Sequence, residues 1–305
     1  MANDLRINGK IVLTCATTAI AACLLPKGRT VHYKLKVPLS LHPNSLLGFS
    51  KESPTSEVLK QAQLLVIDEV TMADRWMLEA IDRTLRDVRD QKDTLFGGLP
   101  VLLSGDWRQC LPVVTKGSRA DIVYKTVKAS STIWQNPNIY HLTENMRVKN
   151  AGEDDQAYAN YLIEVGEGKI PTCSDIGEDM ILIEKEMKSK KTNLPEFCRE
   201  IFEDLKKDVR DGMKNRATEP NWSENLMKKA IICPRNSHVD KINEIVMQEI
   251  EGEEFVLKSA DRCLNETDAL KYPEEWLNYI TPTGTPPHRL VLKKGAPIMM
   301  LRNLK

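Results

Sequence analysis

The chain has 305 residues, of which 41% are hydrophobic and 28% are charged. This composition excludes a disordered chain, and the length suggests two domains of roughly 150 residues each. The 43 basic and 43 acidic side chains cancel, which argues against DNA wrapping by bulk positive charge but leaves a local basic groove open.

Cysteines and histidines are dispersed along the chain, and neither a C-x-x-C pair nor a zinc-type spacing occurs. We therefore expect free or buried thiols in a reducing compartment. There is no apolar run of about 18–20 residues, as a membrane helix needs. The start "MANDLRINGK" also lacks the apolar core of a signal peptide. We expect an intracellular protein with no membrane partner.

The first half alternates strand patterns with helix patterns. Met77, Ile81, Leu85 and Val88 recur at helical spacing, which predicts a helix packed by one face on a sheet. Strands that alternate with helices indicate a parallel α/β sheet. In chain order the predicted elements are strand 10–17, helix 18–25, a loop over 38–56, helix 56–62, strand 63–68, helix 73–90, strand 99–106 and a short strand 138–145.

The second half begins after a charged, glycine-containing stretch at 147–180, and we place a domain boundary near residue 150. The predicted domains are residues 1–150 and 151–305. Ser237 is the expected N-cap of one helix, whose apolar stripe is Val239, Ile242 and Val246. The predicted elements are strand 180–184, a strand and turn over 229–236, helix 237–250 and β structure over 290–303.

Polar residues follow the predicted strands in a definite order. Asp68 and Glu69 end the second strand, Gln109 follows the third, and Arg147 follows the fourth. Ligands of such sheets bind beyond the carboxyl ends of the strands. Nucleotide hydrolysis there needs a carboxylate for magnesium, a base for water, a γ-phosphate sensor and an arginine.

Each of these features has an ordinary explanation when it is taken alone. The acid pair is a common strand end with a helix-capping acid, "GDWRQ" is a turn whose Arg and Asp pair locally, and "ENMR" is a polar loop. The joint order, with each member after its own strand, favours a nucleotide site over a two-domain protein that carries only surface ion pairs.

Six stretches carry a family resemblance: "IVLTCATTAIAACLLPKGRTVHYKLKVPL", "LLVIDEVTMADRWMLEAIDRTLRD", "FGGLPVLLSGDWRQCLPVV", "LTENMRV", "AIICPRNSHVDKINEIVM" and "YPEEWLNYITPTGTPPHRLVLKKGAPIMMLRNL". On them the chain resembles the petite-integration-frequency type of superfamily 1B DNA helicases, in the form carried by Helitron-like transposons. The resemblance implies two RecA-like, P-loop NTPase type parallel-sheet domains. The last stretch resembles the lead into an inserted small β-barrel.

The resemblance also implies roles for individual residues. Asp68 would hold Mg²⁺ through water, and Glu69 would activate the attacking water. Gln109 would couple the γ-phosphate of ATP to DNA, and Arg147 would be the arginine finger. The DNA-contacting residues implied are Thr17, Thr18, Thr30, His32 and Asn236.

At the level of the whole protein, the resemblance implies an ATP-dependent helicase that moves 5′ to 3′ on single-stranded DNA and acts at DNA forks. Its work would be genome maintenance, such as telomere maintenance, recombination or repair, or else Helitron transposition. We expect a nuclear location, with the mitochondrion as the alternative.

One expected motif does not occur in these 305 residues, the phosphate-binding G-x-x-x-x-G-K-[ST] loop. In "INGKIV" (7–12), Ile11 stands where Ser or Thr would bind magnesium. We therefore expect a fragment truncated at both ends: the first domain lacks its P-loop strand and helix, and the second is incomplete. The isolated chain should not hydrolyse ATP above background.

Two alternatives stay open. The first is a catalytically dead, transposon-derived remnant that at most binds single-stranded DNA. The second is a P-loop ATPase without an unwinding role, or a structural protein.

Overall fold

The computed structural model describes residues 2–130, 132–135, 137–149, 152–173, 175, 177, 180–214, 228–281 and 285–299. The chain divides into two compact units, with the division after Ile181. The predicted boundary near residue 150 falls inside the first of these units, and the domain assignment stays a prediction. None of the helices in the described ranges is both long and apolar enough to span a membrane.

The first unit is built on a four-stranded, fully parallel sheet in the order β2-β1-β3-β4. Ala16 pairs with Asp68, and Ile67 pairs with Leu103, so the carboxyl ends of three strands lie side by side. The parallel α/β sheet that the sequence predicts is confirmed. Its strands are β1 Val12–Ala16, β2 Arg29–Thr30, β3 Leu64–Asp68 and β4 Val101–Leu103.

Helices surround this sheet. The helix α5 (Arg75–Val88) buries Met77, Ile81, Leu85 and Val88, as their spacing predicts. Burial of each large aliphatic side chain contributes about 1.5–3 kcal/mol, so this apolar face is a main source of stability. The other helices are α1 Ala2–Ile7, α2 Ala19–Leu24, α3 Val31–Leu35, α4 Pro54–Gln61, α6 Arg119–Lys125 and α7 Glu153–Gly166.

The predicted fourth strand at 138–145 is not formed. No strand is assigned over these described residues, and Ile139, Tyr140 and Leu142 are exposed. A strand needs a neighbour that accepts its backbone hydrogen bonds, and the described strands of this sheet pair only among themselves. The third strand is also shorter than the predicted 99–106, because the chain turns after Leu103.

The second unit contains an antiparallel pair, β5 (Glu254–Lys258) with β6 (Arg289–Lys293). Its buried cluster is Leu205, Val209 and Ile250. Within its described ranges there is no parallel sheet. The helices are α8 Leu194–Ile201, α9 Leu205–Lys214, α10 Asn236–Glu249, α11 Glu266–Lys271 and α12 Glu274–Leu277.

Three predictions for the second half need correction. The strand at 180–184 is reduced to a single bridge between Thr172 and Ile181. The described residues 228–235 form no strand. The helix predicted at 237–250 begins one residue earlier, so Arg235 is its N-cap and makes no side-chain cap bond. The predicted cap Ser237 therefore lies inside the helix.

Candidate functional site

The two adjacent acids lie at the carboxyl end of β3. Asp68 closes the strand, and its Oδ1 accepts a 2.9 Å hydrogen bond from the backbone amide of Glu69. Glu69 adopts the left-handed conformation, with φ 55° and ψ 37°. A residue other than glycine is uncommon there, and such strain concentrates at functional sites.

Glu69 is held in an environment that disfavours its charge. Its Oε2 atom is buried and has no hydrogen-bond partner among the described residues. Burial raises the pKa of Glu69, and the negative charges of Asp68 and Asp106 raise it further. A carboxylate with a raised pKa and a free oxygen is suited to accept a proton.

The segment that follows β4 is hydrogen-bonded to this turn. The amide of Val70 donates to the carbonyl of Ser104 at 2.9 Å. A Cβ at Gly105 would lie 3.0 Å from Cγ2 of Thr71, so the small residue permits the close approach of the two strand ends. This approach places the next residue, Asp106, within electrostatic reach of Glu69.

The end of β1 is joined to the same turn by Thr17. Its amide donates to the carbonyl of Asp68 at 3.1 Å, and its hydroxyl donates to the carbonyl of Glu69 at 2.6 Å. The first predicted DNA-contacting residue is thus hydrogen-bonded to the backbone of both the predicted Mg²⁺ ligand, Asp68, and the predicted base, Glu69.

Next to this link lies a cleft of about 340 Å³. Three predicted DNA-contacting residues line it, namely Thr17, Thr18 and His32. The hydroxyl of Thr18 caps α2, and partial burial lowers the pKa of His32, which favours the neutral imidazole. The other lining residues are Leu39, Leu41, Met72, Ala73, Asp74 and Met77.

Thr30 lies two residues before His32 and has a local structural role. Its hydroxyl accepts a 3.4 Å hydrogen bond from the amide of Tyr33 and so caps α3. Thr30 is not among the residues that line the cleft.

The remaining predicted site residues are exposed. Gln109 donates its backbone amide to the carbonyl of Asp106 at 3.1 Å. Arg147 donates its amide to the side chain of Asn145 at 3.1 Å, and Asn236 begins α10 in the second unit. Within the described residues of the first unit, no hydrogen bond or ion pair joins the side chain of Gln109 or Arg147 to Asp68 or Glu69. The catalytic roles of Gln109 and Arg147 and the DNA-binding role of Asn236 stay predictions.

Two acids near the site are not among the residues that the sequence predicts for it. Asp106 reaches Glu69 from β4, and Asp74 lines the cleft while it caps α5 through the amide of Trp76. The signal for Asp74 is its position before a helical run, which is a common N-cap pattern. Its ion pair with Lys125, at 2.6 Å, joins residues 51 positions apart and has no local signal.

The donor set suits a hard cation that is shared with phosphates. No cluster of three or more potential metal ligands occurs in the described part of the chain. Magnesium in nucleotide sites is held by one or two carboxylates together with phosphate oxygens and water, so a larger protein cluster is not required. Asp68, whose carboxylate lies at the strand end, fits this pattern.

The family model described as "PIF1-like helicase" matches residues 1–175, more than half of the chain. The chain belongs to the PIF1-like helicase family. A second model, "DNA helicase Pif1, 2B domain", matches residues 275–305, where the sequence resembles the lead into a small β-barrel. The matches confirm the predicted petite-integration-frequency type of helicase, and its Helitron-like form stays a prediction.

Relatives from bacteria and fungi agree with this assignment. The chain is 31% identical over 150 residues to the ATP-dependent DNA helicase Pif1 of Psychrobacter, which is 48% of this chain and 22% of that protein. It is 24% identical over 301 residues to the ATP-dependent DNA helicase PIF1 of Emericella nidulans, covering 96% and 33%. The chain thus spans a third or less of the length of these relatives.

A solved structure shares the fold of this PIF1-like chain. The Pif1 helicase from Bacteroides, in complex with ADP-AlF3 and ssDNA, matches with a TM-score of 0.56 and 22% identity. The match covers 93% of this chain and 54% of that chain. It confirms the predicted α/β fold class.

Proposed function

We propose that this chain is part of an ATP-dependent DNA helicase that couples ATP hydrolysis to movement on single-stranded DNA, and that single-stranded DNA and DNA forks are its partners. One observation carries the proposal. Thr17, at the mouth of the predicted DNA cleft, is hydrogen-bonded through its hydroxyl to the backbone of Glu69, whose buried oxygen has no partner among the described residues.

In this function Asp68 and Glu69 have different roles. Asp68 would hold Mg²⁺, which when bound would offset the charge of the ATP phosphates. Glu69 accepts the proton of the attacking water, and its raised pKa makes it a better base than an exposed glutamate. Gln109 and Arg147 are assigned to the γ-phosphate by the family resemblance.

Local charge supports DNA binding where the net charge does not. Residues 5–51 contain no Asp or Glu. The same stretch contains seven basic residues: Arg6, Lys10, Lys27, Arg29, Lys34, Lys36 and Lys51. Clustered basic side chains supply the salt-dependent attraction to phosphates that underlies nucleic-acid binding. Thr17, Thr18 and His32 of the cleft belong to this stretch, and the acid that also lines the cleft, Asp74, is paired with Lys125.

The wider biological setting rests on the resemblance alone. We propose 5′-to-3′ movement, and a role in genome maintenance or in Helitron transposition. The nucleus is the proposed location, and the mitochondrion is the alternative. Asn236 would face the DNA backbone from the start of α10.

The test is ATP hydrolysis by a protein in which a P-loop segment precedes these residues. We expect hydrolysis that single-stranded DNA stimulates, and a loss of about 10²- to 10⁴-fold in kcat for Glu69→Gln. The exposed Glu52→Gln variant is the control and should keep its activity. Hydrolysis that Glu69→Gln leaves intact would contradict the proposal.

Residues 1–305 alone separate the proposal from its alternative. No G-x-x-x-x-G-K-[ST] occurs in them, so we expect no ATP hydrolysis above background from this chain. A catalytically dead remnant predicts the same result, but it also predicts that the P-loop-containing protein is inactive. Robust DNA-stimulated ATP hydrolysis by residues 1–305 would contradict the inference that a G-x-x-x-x-G-K-[ST] loop is needed to bind the phosphates of ATP.

A further inference from the structure

Tyr33 is an aromatic residue displayed on the surface of a basic segment. It lies on α3, between Val31 and Leu35, which are fully buried, and its own side chain is 60% exposed. The two flanking aliphatic residues anchor the helix, and the ring of Tyr33 stays largely exposed.

The ring of Tyr33 makes a cation–π contact. The ammonium of Lys36 lies 4.6 Å from the ring centroid of Tyr33. Lys36 ends α3 in the left-handed conformation, with φ 54° and ψ 41°. Lys36 therefore supplies a positive charge beside an exposed aromatic face.

The segment that carries the ring is basic, since residues 5–51 contain no Asp or Glu. Lys27, Arg29 and Lys36 are exposed, and none of them forms an ion pair within the ranges that the structure describes. Surface lysines and arginines are normally paired or solvated, and a run without nearby acids attracts a polyanion. The adjacent residue His32 lines the cleft.

We infer that Tyr33 is a stacking platform for a base of single-stranded DNA, with Lys36 contacting the neighbouring phosphate. The inference rests on the proposed function and extends it, since it assigns a base contact where the resemblance implies only Thr30 and His32 nearby. Stacking on an aromatic ring is sequence-tolerant, because every base presents a π-face. A translocating protein requires such tolerance.

The experiment compares an intact single-stranded oligonucleotide with one that has the same backbone but abasic sites, by fluorescence anisotropy with residues 1–305. Tyr33→Ala should weaken binding to the intact strand by roughly 5- to 100-fold and leave the abasic strand within about twofold. Tyr33→Trp should retain affinity. Lys36→Ala should lower the salt slope by about 0.7. Tyr279→Ala, at an exposed tyrosine of the second unit, is the control and should change nothing.

The outcomes separate the inference from the function on which it rests. Wild-type chain that fails to bind single-stranded DNA at low salt overturns both. If the wild type binds and Tyr33→Ala binds equally well, only the stacking role is wrong. Equal weakening on intact and abasic strands overturns stacking in favour of a backbone contact. Because the ring is exposed, the thermal midpoint of Tyr33→Ala should match that of wild type.

Discussion

Thr17 donates its hydroxyl to the backbone carbonyl of Glu69 at 2.6 Å, across the ends of two neighbouring parallel strands. The residue after it, Thr18, lines the cleft that we assign to DNA, and Glu69 is the residue that we assign to water activation. A single hydrogen bond thus connects the two functions. Because Glu69 is in the left-handed conformation, a shift of Thr17 changes a turn that is already strained.

Removal of this hydroxyl should destabilise the first unit and weaken the coupling. We expect Thr17→Ala to cost about 0.5–1.5 kcal/mol in the free energy of unfolding, because the carbonyl of Glu69 loses its donor. Thr17→Ser should retain most of that stability, since its hydroxyl remains. Urea denaturation measures both variants, and an equal loss in the two would show that the methyl group matters instead. In the P-loop-containing protein, Thr17→Ala should also reduce stimulation by DNA more than basal hydrolysis.

Glu69 should be a destabilising residue above the pH at which it ionises. Its pKa is raised in the folded state, chiefly by burial and then by Asp68 and Asp106. Between the unfolded and folded pKa values the folded state binds more protons, so stability falls as pH rises through that window. Glu69→Gln should therefore gain thermal stability relative to wild type as the pH rises from the unfolded-state pKa of a glutamate through the raised pKa of Glu69. Wild type and Glu69→Gln with parallel pH profiles would contradict this.

The loop that carries Gln109 is fastened to the end of α7. Arg108 donates to Oε1 of Glu167 at 2.7 Å, and Lys169 contacts Oε2 of the same carboxylate at 2.6 Å. A Cβ at Gly166 would lie 2.8 Å from Cβ of Arg108, so the glycine leaves room for this side chain. The pairing that the sequence suggests between Arg108 and Asp106 is longer, at 3.7 Å.

This contact predicts that the effect of Gly166→Ala on the free energy of unfolding changes sign when the side chain of Arg108 is removed. In an Arg108→Gly background, which removes the Cβ that would meet the new methyl group, Gly166→Ala should stabilise the protein by up to about 1 kcal/mol, because alanine favours the helix. With Arg108 present the new methyl group displaces the side chain, and the gain should vanish or reverse. Urea unfolding of the four proteins gives the coupling energy. Additive effects within about 0.3–0.5 kcal/mol would mean that the two residues do not interact.

The sequence predicts well the elements whose pattern is long or strongly apolar. The strands that contain Thr14 and Val66 and the helix that contains Ile81 are found where their periodicity places them. The two-residue strand β2 has no pattern to detect. The apolar residues Ile139, Tyr140 and Leu142 suggest a strand, but whether a strand forms depends on a neighbour that no local pattern specifies.

The candidate site also has features that the sequence predicts and features that it does not. The acid pair is predictable because it ends an apolar run, and Thr17 follows from the family resemblance. The left-handed turn at Glu69 and the contact of Arg108 with Glu167, 59 residues apart, depend on tertiary packing. Local sequence carries no information on such contacts, so they become visible only in the structure.

The central claim is that the first unit carries a DNA cleft linked to a catalytic acid pair, and binding of single-stranded DNA by residues 1–305 tests it most directly. Anisotropy titrations at several salt concentrations should show saturable binding that weakens with salt and that exceeds binding to blunt duplex. His32→Ala should reduce the affinity, and His141→Ala, at an exposed histidine without an assigned role, should not. Absence of binding at low salt, or equal affinity for all variants and for duplex, would contradict the account.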